Sequence, residues 1–291
     1  MPRPDLSVEV FGARFQNPIL LASGTAGFGR EVAGVIALQR LGGVVTKAVS
    51  QAPRTGNRAP RVAEFTGGML NSVGLANPGL EAVRTTELPW LVQHVGAARV
   101  LVNVVGDTGA EYEAVVTGLE QVPGITALEI NLSCPNSRAG GIEFGADAQG
   151  ILEVLGRCRK ATRRPLIAKL SPALPDIAAM AIVARDAGAD GISLVNTLPG
   201  YLGDRTGQPR LGNGNGGVSG PALLPIGVLA VRRVMERTGG IPIVGVGGVR
   251  TAADARQYLA AGAVLVAIGT AALADPRVPE RVIRGLEAGN G

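Results

Sequence analysis

Eight short runs of β-branched and aliphatic residues, separated by Ala- and Leu-rich stretches of helical period, constrain what this chain can fold into more than any other feature. They fall at 19–22, 43–47, 100–104, 128–132, 166–170, 192–196, 243–246 and 264–268. Runs that are apolar without alternation suit strands buried on both faces of a parallel sheet. The intervening stretches predict helices over 31–39, 88–95, 110–121, 147–161, 175–187, 221–237, 252–261 and 279–287. Eight βα units favour a closed (β/α)8 TIM barrel of the α/β class over an open doubly wound sheet. A barrel of this kind can take up the 291 residues as one domain, 1–291. Because 46% of residues are hydrophobic but only 3% aromatic, its core has to be built from Val, Leu, Ile and Ala.

Ahead of the first run, 7–11 and 13–16 alternate with period two around Gly12, which predicts an antiparallel hairpin capping the barrel floor. Gly188 and Gly262 are placed to close helices. Three connections are long: 48–78 after the second strand, the segment with Gly140, Gly141 and Gly145 after the fourth, and 197–220 after the sixth. Each follows a strand C-terminus and is expected to overhang the face where such barrels bind ligands.

The formal charge of +5 is not gathered into a basic run interleaved with aromatics, which points to a soluble basic surface and away from nucleic acid. The opening MPRPDLSVEVFG has no apolar signal core, and no stretch reaches ~18 consecutive apolar residues, so no signal peptide and no membrane span are expected. Cys134 and Cys158 are the only cysteines, outside any CxxC pair, which fits the cytoplasm. Cys158, in the helical VLGRCRKA, reads as packing. His94 is the sole histidine and reads as a solvent-side or helix-terminal residue. No clustered His metal site can form, and no metal is expected. Acid–base work is left to Cys134 or a lysine.

At the end of each proposed strand the sequence turns from aliphatic to small or polar: Ser23-Gly24, Lys47, Asn103, Asn131 to Cys134, Lys169, Asn196-Thr197, Gly247-Gly248 and Gly269-Thr270. In a (β/α)8 barrel these ends meet at one mouth. The glycine pairs after strands seven and eight stand where such barrels hold a phosphate, though they also read as tight turns. Lys47 and Lys169 interrupt apolar runs, where a buried ammonium needs compensation. An anionic ligand, a structural salt bridge or Schiff-base chemistry would each supply a reason. Cys134 lies past a strand end, before Pro135, on a glycine-hinged loop suited to closing over a ligand.

The strings ASGTAGFG, TKAVS, PRVAE, GGMLNSVGLANPG, EINLSCPN, KLSP, VNT, GGVSGPA, GVGG and IGT resemble dihydroorotate dehydrogenase along nearly the whole chain. A cysteine in NLSCPN is similar to the soluble class 1 enzymes, and GGMLNSVGLANPG with VNTLPG is closer to the class 1B catalytic subunit. The pattern departs at Asn213 to Gly217, where a β-branched residue is expected before the glycine pair.

The resemblance implies oxidation of dihydroorotate to orotate in pyrimidine biosynthesis, with Cys134 taking a proton from C5 and FMN taking a hydride from C6 at N5. It implies substrate contacts from Lys47, Asn71, Ser72, Val73, Gly74, Leu75, Asn131, Asn196 and Thr197. It implies FMN contacts from Ala22, Ser23, Gly24, Lys47, Ala48, Asn103, Asn131, Lys169, Val195, Gly220, Gly247, Gly248, Gly269 and Thr270. It further implies a homodimer joined to a partner subunit carrying FAD and a [2Fe-2S] cluster, a heterotetramer that passes electrons to NAD. A fumarate-dependent class 1A homodimer, a dihydrouridine synthase and a phosphate-ligand binding protein are the alternatives.

Overall fold

A computed structural model describes residues 4–133 and 147–289. The chain opens with the expected hairpin, β1 (Val8–Val10) against β2 (Ala13–Phe15), paired antiparallel. The barrel strands follow as β3 (Ile19–Leu21) and β4 (Gly43–Val45). Next, β5 (Val62–Phe65) and β6 (Gly68–Asn71) belong to the first long connection. The barrel continues with β7 (Arg99–Val104), β8 (Ile125–Asn131), β9 (Leu166–Leu170) and β10 (Gly191–Leu194). The third long connection, after β10, contributes β11 (Leu198–Gly200) and β12 (Gly216–Ser219), and β13 (Ile243–Val246) and β14 (Leu265–Ile268) complete the set. Eight of them, in the order β10-β13-β14-β3-β4-β7-β8-β9, form a closed barrel in which every pairing is parallel.

Helices α1 (Leu80–Ala82), α2 (Leu88–His94), α3 (Gly109–Leu119), α4 (Ala148–Ala161), α5 (Ile177–Asp186), α6 (Leu224–Thr238), α7 (Ala252–Ala260), α8 (Thr270–Ala274) and α9 (Val278–Glu287) lie in the connections. Their starts are written locally. Thr108, Asp147 and Asp176 accept from the amides of Glu111, Gly150 and Ala179, and Thr251 with Asp254 forms a full capping box. Gly188 and Gly262 close α5 and α7 at φ of 102° and 108°. Among the described residues no helix is long and apolar enough to cross a membrane.

One expected helix is absent. Over 31–39 the chain makes separate turns and then a 3-10 turn at Leu38–Arg40. Bonds of the i→i−4 kind, Ala33 to Gly29 and Ile36 to Val32, alternate with i→i−3 bonds from Val32 and Val35. Gly34 and the β-branched Val32, Val35 and Ile36 weaken helix here. Val32 and Ile36 are buried all the same, so the segment fills a helix's place in the outer core.

Two of the long connections, those after β4 and β10, are also more ordered than their loop-like composition suggests. Strands β11, β12, β6 and β5 form one antiparallel sheet, joining the segment after β4 to the segment after β10. A small apolar cluster of Ala63, Leu70 and Leu211 sits beneath it.

Cys158 is fully buried on α4, as expected, and burial pushes its thiol up to about 12. Since the thiolate is the reactive form, this sulfur is inert near neutral pH. A folded Cys134→Ser chain is therefore expected to resist iodoacetamide at pH 8 and to take up one equivalent once denatured. Mass spectrometry reads both, and rapid labelling of the folded chain would contradict this burial.

Candidate active site

Alternation along the strands decides which side chains enter the barrel. Leu20, Leu101, Ala127, Ile167 and Val244 pack with Phe15 of the hairpin in an inner cluster, while Ile19, Val102, Leu128, Ala168 and Ile243 face the helices. By the same period of two, Asn103, Glu129, Asn131 and Lys169 enter the interior nearer the mouth. Ser193, between the outward Ile192 and Leu194, joins them. All five are buried. The polar side chains thus occupy adjacent strands β7 to β10, and the opposite wall is apolar.

Lys169 lies 3.4 Å from Glu129 Oε1, and Asn103 Nδ2 donates to that oxygen at 2.7 Å. Both members of the ion pair are nearly inaccessible, at 8% and 3% side-chain exposure. Glu129 was not singled out by its sequence. The signal was present, because it shares an inward face with Asn131 in an otherwise apolar strand. Asn103 Oδ1 and Ser193 Oγ, although buried, have no hydrogen-bond partner among the described residues. Buried polar atoms in folded proteins nearly always have one, so this cluster is built to meet a ligand.

Around the rim, Asn196 Nδ2 donates to Asn131 Oδ1 at 3.3 Å, bringing the ends of β8 and β10 together, and the Thr197 amide donates to Asn196 Oδ1 at 2.8 Å. Ser133 Oγ donates to the Lys169 carbonyl at 3.0 Å. Asn71 Nδ2 reaches the Gly217 carbonyl at 3.1 Å, and Thr197 packs so closely on Gly217 that a Cβ there would strike it. Ser72 is held by Asn57 at 2.8 Å, the Val73 carbonyl accepts from the Asn57 amide, and Gly74 lies against Asn57. Buried Asn77 ties the Leu75 carbonyl to Ser50. Lys47 is half-buried just past β4, its amide bonded to the Gly27 carbonyl, and Ala48 is buried beside it.

Ala22, Ser23 and Gly24 follow β3, where a Cβ on Gly269 would meet the methyl of Ala22 at 3.6 Å. Val195 is buried past β10, its amide bonded to the Val246 carbonyl at 2.8 Å. Gly247 and Gly248 adopt φ of 123° and 76°, and a Cβ on Gly248 would lie 2.5 Å from the Leu224 amide nitrogen. The turn therefore admits only glycine and brings backbone against the start of α6; Gly220, at φ 103° just ahead of that helix, lies against Gly68. Thr270 begins the short α8, which the sequence did not reveal. Cys134 and the glycines at 140, 141 and 145 lie outside the described residues.

Two tyrosines support this rim from behind, and sequence reasoning did not pick out either. Tyr112 on α3 donates to the Asn131 carbonyl at 2.6 Å. Tyr258 on α7 donates to the carbonyls of Val246 and Gly247 at 3.0 and 2.8 Å. Removing the second hydroxyl with Tyr258→Phe is expected to lower stability by about 1 kcal/mol in a urea melt. An unchanged midpoint would show that this contact carries nothing. His94, as expected, stands apart on α2, stacked on Trp90 at 4.1 Å with Nδ1 2.7 Å from its carbonyl oxygen.

A closed (β/α)8 barrel with a buried lysine–glutamate pair, an amide-lined rim and a glycine cradle after its seventh and eighth strands defines a class. That class is the barrel enzymes with a polar mouth at the C-terminal ends of the strands, where ligands bind. Within that class the chain belongs to the dihydroorotate dehydrogenase family, whose model, described as dihydroorotate dehydrogenase, matches residues 5–289. Membership implies a flavin-dependent enzyme, as the sequence motifs anticipated. Similar proteins include three named "Dihydroorotate dehydrogenase B (NAD(+)), catalytic subunit". The one from Pelobacter propionicus is 42% identical over 98% of this chain and 93% of its own length. That from Geotalea daltonii is 42% identical over 99% and 93%, and that from Geobacillus kaustophilus 45% over 97% and 90%.

Proposed function

We propose that this chain, acting as one FMN-binding unit over 1–291, is the catalytic subunit of an NAD-linked dihydroorotate dehydrogenase that oxidises dihydroorotate to orotate. The observation that carries this reading is the buried Glu129–Lys169 pair with unpartnered Asn103 Oδ1 and Ser193 Oγ beside it, inside a barrel of this family. These groups fit a flavin, which presents several ring carbonyls and nitrogens and gains negative charge on reduction. Ala22, Ser23, Gly24, Lys47, Ala48, Asn103, Asn131, Lys169 and Val195 would hold its ring. Gly220, Gly247, Gly248, Gly269 and Thr270 would hold its phosphate by backbone amides.

When bound, the flavin supplies a two-electron acceptor for the hydride leaving C6 of dihydroorotate. The protein's part is to place the substrate and remove the C5 proton. In this reading Lys47 pairs with the substrate carboxylate, while Asn71, Asn131, Asn196 and Thr197 match its amide edges. The backbone of Ser72, Val73, Gly74 and Leu75 closes the remaining side. Cys134 takes the C5 proton, a thiol of ordinary pKa ~8.5 being a serviceable base near neutral pH. Loss of one hydride and one proton leaves the C5–C6 double bond of orotate.

The names borne by the relatives support a partner subunit for this chain as well. The proposal assigns that partner FAD and a [2Fe-2S] cluster, joins it to a homodimer of this chain as a heterotetramer, and places the assembly in the cytoplasm. The purified chain is expected to be yellow, to bleach anaerobically on adding dihydroorotate, and to reduce NAD poorly alone. Rapid NAD reduction by the lone chain would count against a separate electron-transfer subunit. Brisk turnover with fumarate would favour the fumarate-dependent alternative.

A further inference from the structure

The chemistry above gives Lys169 and Asn103 a use and leaves Glu129 without one, although a buried carboxylate is expensive to keep. Its surroundings say what it does. Asn103, its register partner on β7, donates to Oε1 at 2.7 Å, so the carboxylate is anchored from one side by a neutral amide. Lys169, on β9, stands 3.4 Å from the same oxygen. A purely structural lysine–carboxylate bond closes to about 2.7–2.9 Å. Here the tight bond goes to asparagine and the ammonium is held loosely. Among the described residues Glu129 is the only side chain to which Lys169 is bonded. Ser193, the register partner of Lys169, is buried with its hydroxyl unpartnered, and Asn103 Oδ1 is unpartnered at the other end of the cluster. The unit Asn103–Glu129–Lys169–Ser193 is incomplete at both ends and under-bonded at its cation.

Resting on the FMN reading above, we propose that Glu129 is a positioning residue that sets how much of the Lys169 charge the flavin feels. Its carboxylate steers the ammonium across the interior, and its own negative charge offsets part of the field that favours the reduced cofactor. In a water-excluded interior such charges act strongly over short distances. Glu129 therefore moderates the reduction potential, and Lys169 raises it.

The test is a set of flavin potentials and sulfite affinities on the whole chain with FMN in excess. Sulfite adds to oxidised flavin as an anion and reports the same field without turnover. Glu129→Gln is expected to favour the reduced form about tenfold, ~30 mV upward for a two-electron couple, and to tighten sulfite binding about tenfold. Lys169→Gln should shift both in the opposite direction. Glu129→Gln combined with Lys169→Gln leaves no buried charge unmatched, serves where the single variant does not accumulate, and should return the potential close to wild type. A yellow Glu129→Gln chain with unchanged potential and sulfite affinity would overturn the proposal. So would a double variant with a potential as low as that of Lys169→Gln alone. A wild-type chain that holds no flavin would overturn the functional reading itself, and this inference with it.

Discussion

Replacing Cys134 with serine is expected to slow anaerobic flavin reduction by dihydroorotate by about 10²–10⁴-fold near pH 7, the usual worth of a positioned base. An alcohol holds its proton far more tightly than a thiol, so the rate should recover in part as the pH is raised. Cys158 cannot take over, because it is buried on α4 behind the barrel wall with its thiol pushed up to about 12. The backbone leading to residue 134 is firmly placed: Tyr112 holds the Asn131 carbonyl and Ser133 is bonded to the Lys169 carbonyl. Stopped-flow absorbance across pH reads the effect directly. Equal rates for both proteins at pH 7 would remove Cys134 from the role of base.

Lys169→Met is expected to have the largest effect on stability. It leaves the Glu129 carboxylate buried at 3% exposure with only Asn103 donating to it. Stranding one member of a buried pair typically costs 3–5 kcal/mol. For a chain of this size that is on the order of a 5–10 °C fall in the melting temperature. Adding Glu129→Gln to the same chain should restore much of the loss, since no unpaired charge then remains. A loss below about 1 kcal/mol in the apo single variant would show that the pair is not held as the geometry indicates.

The barrel was legible because a parallel sheet covered by helices buries both strand faces, so that each strand announces itself as an unbroken apolar run. The segments Leu166–Leu170 and Ile243–Val246 coincide with the expected bounds to the residue. The second strand stops at Val45, earlier than 43–47 suggested, because the Lys47 amide turns away to bond Gly27. The sixth likewise ends at Leu194. The 31–39 helix was misread because Val32 and Ile36 have helical spacing, while Gly34 and the β-branched neighbours do not favour helix. Lys169 and Asn103 could be found because polar residues inside apolar runs need a reason. Glu129 met the same criterion and was hidden by the motif around it. Tyr258 could not be found this way, since a tyrosine on a helix signals burial and not which carbonyl its hydroxyl will reach.

The sheet of β11, β12, β6 and β5 bears on how this barrel can be altered. Its central pairing sets Asn71 against Gly217, Leu70 against Val218 and Met69 against Ser219, residues just over half the chain apart. Loop exchange between related barrels usually treats each connection as an independent cassette. Here the two connections share hydrogen bonds and a common apolar patch, so either one transplanted singly would arrive with an unpaired edge. They form one transferable unit, and recombination that respects it must move both at once.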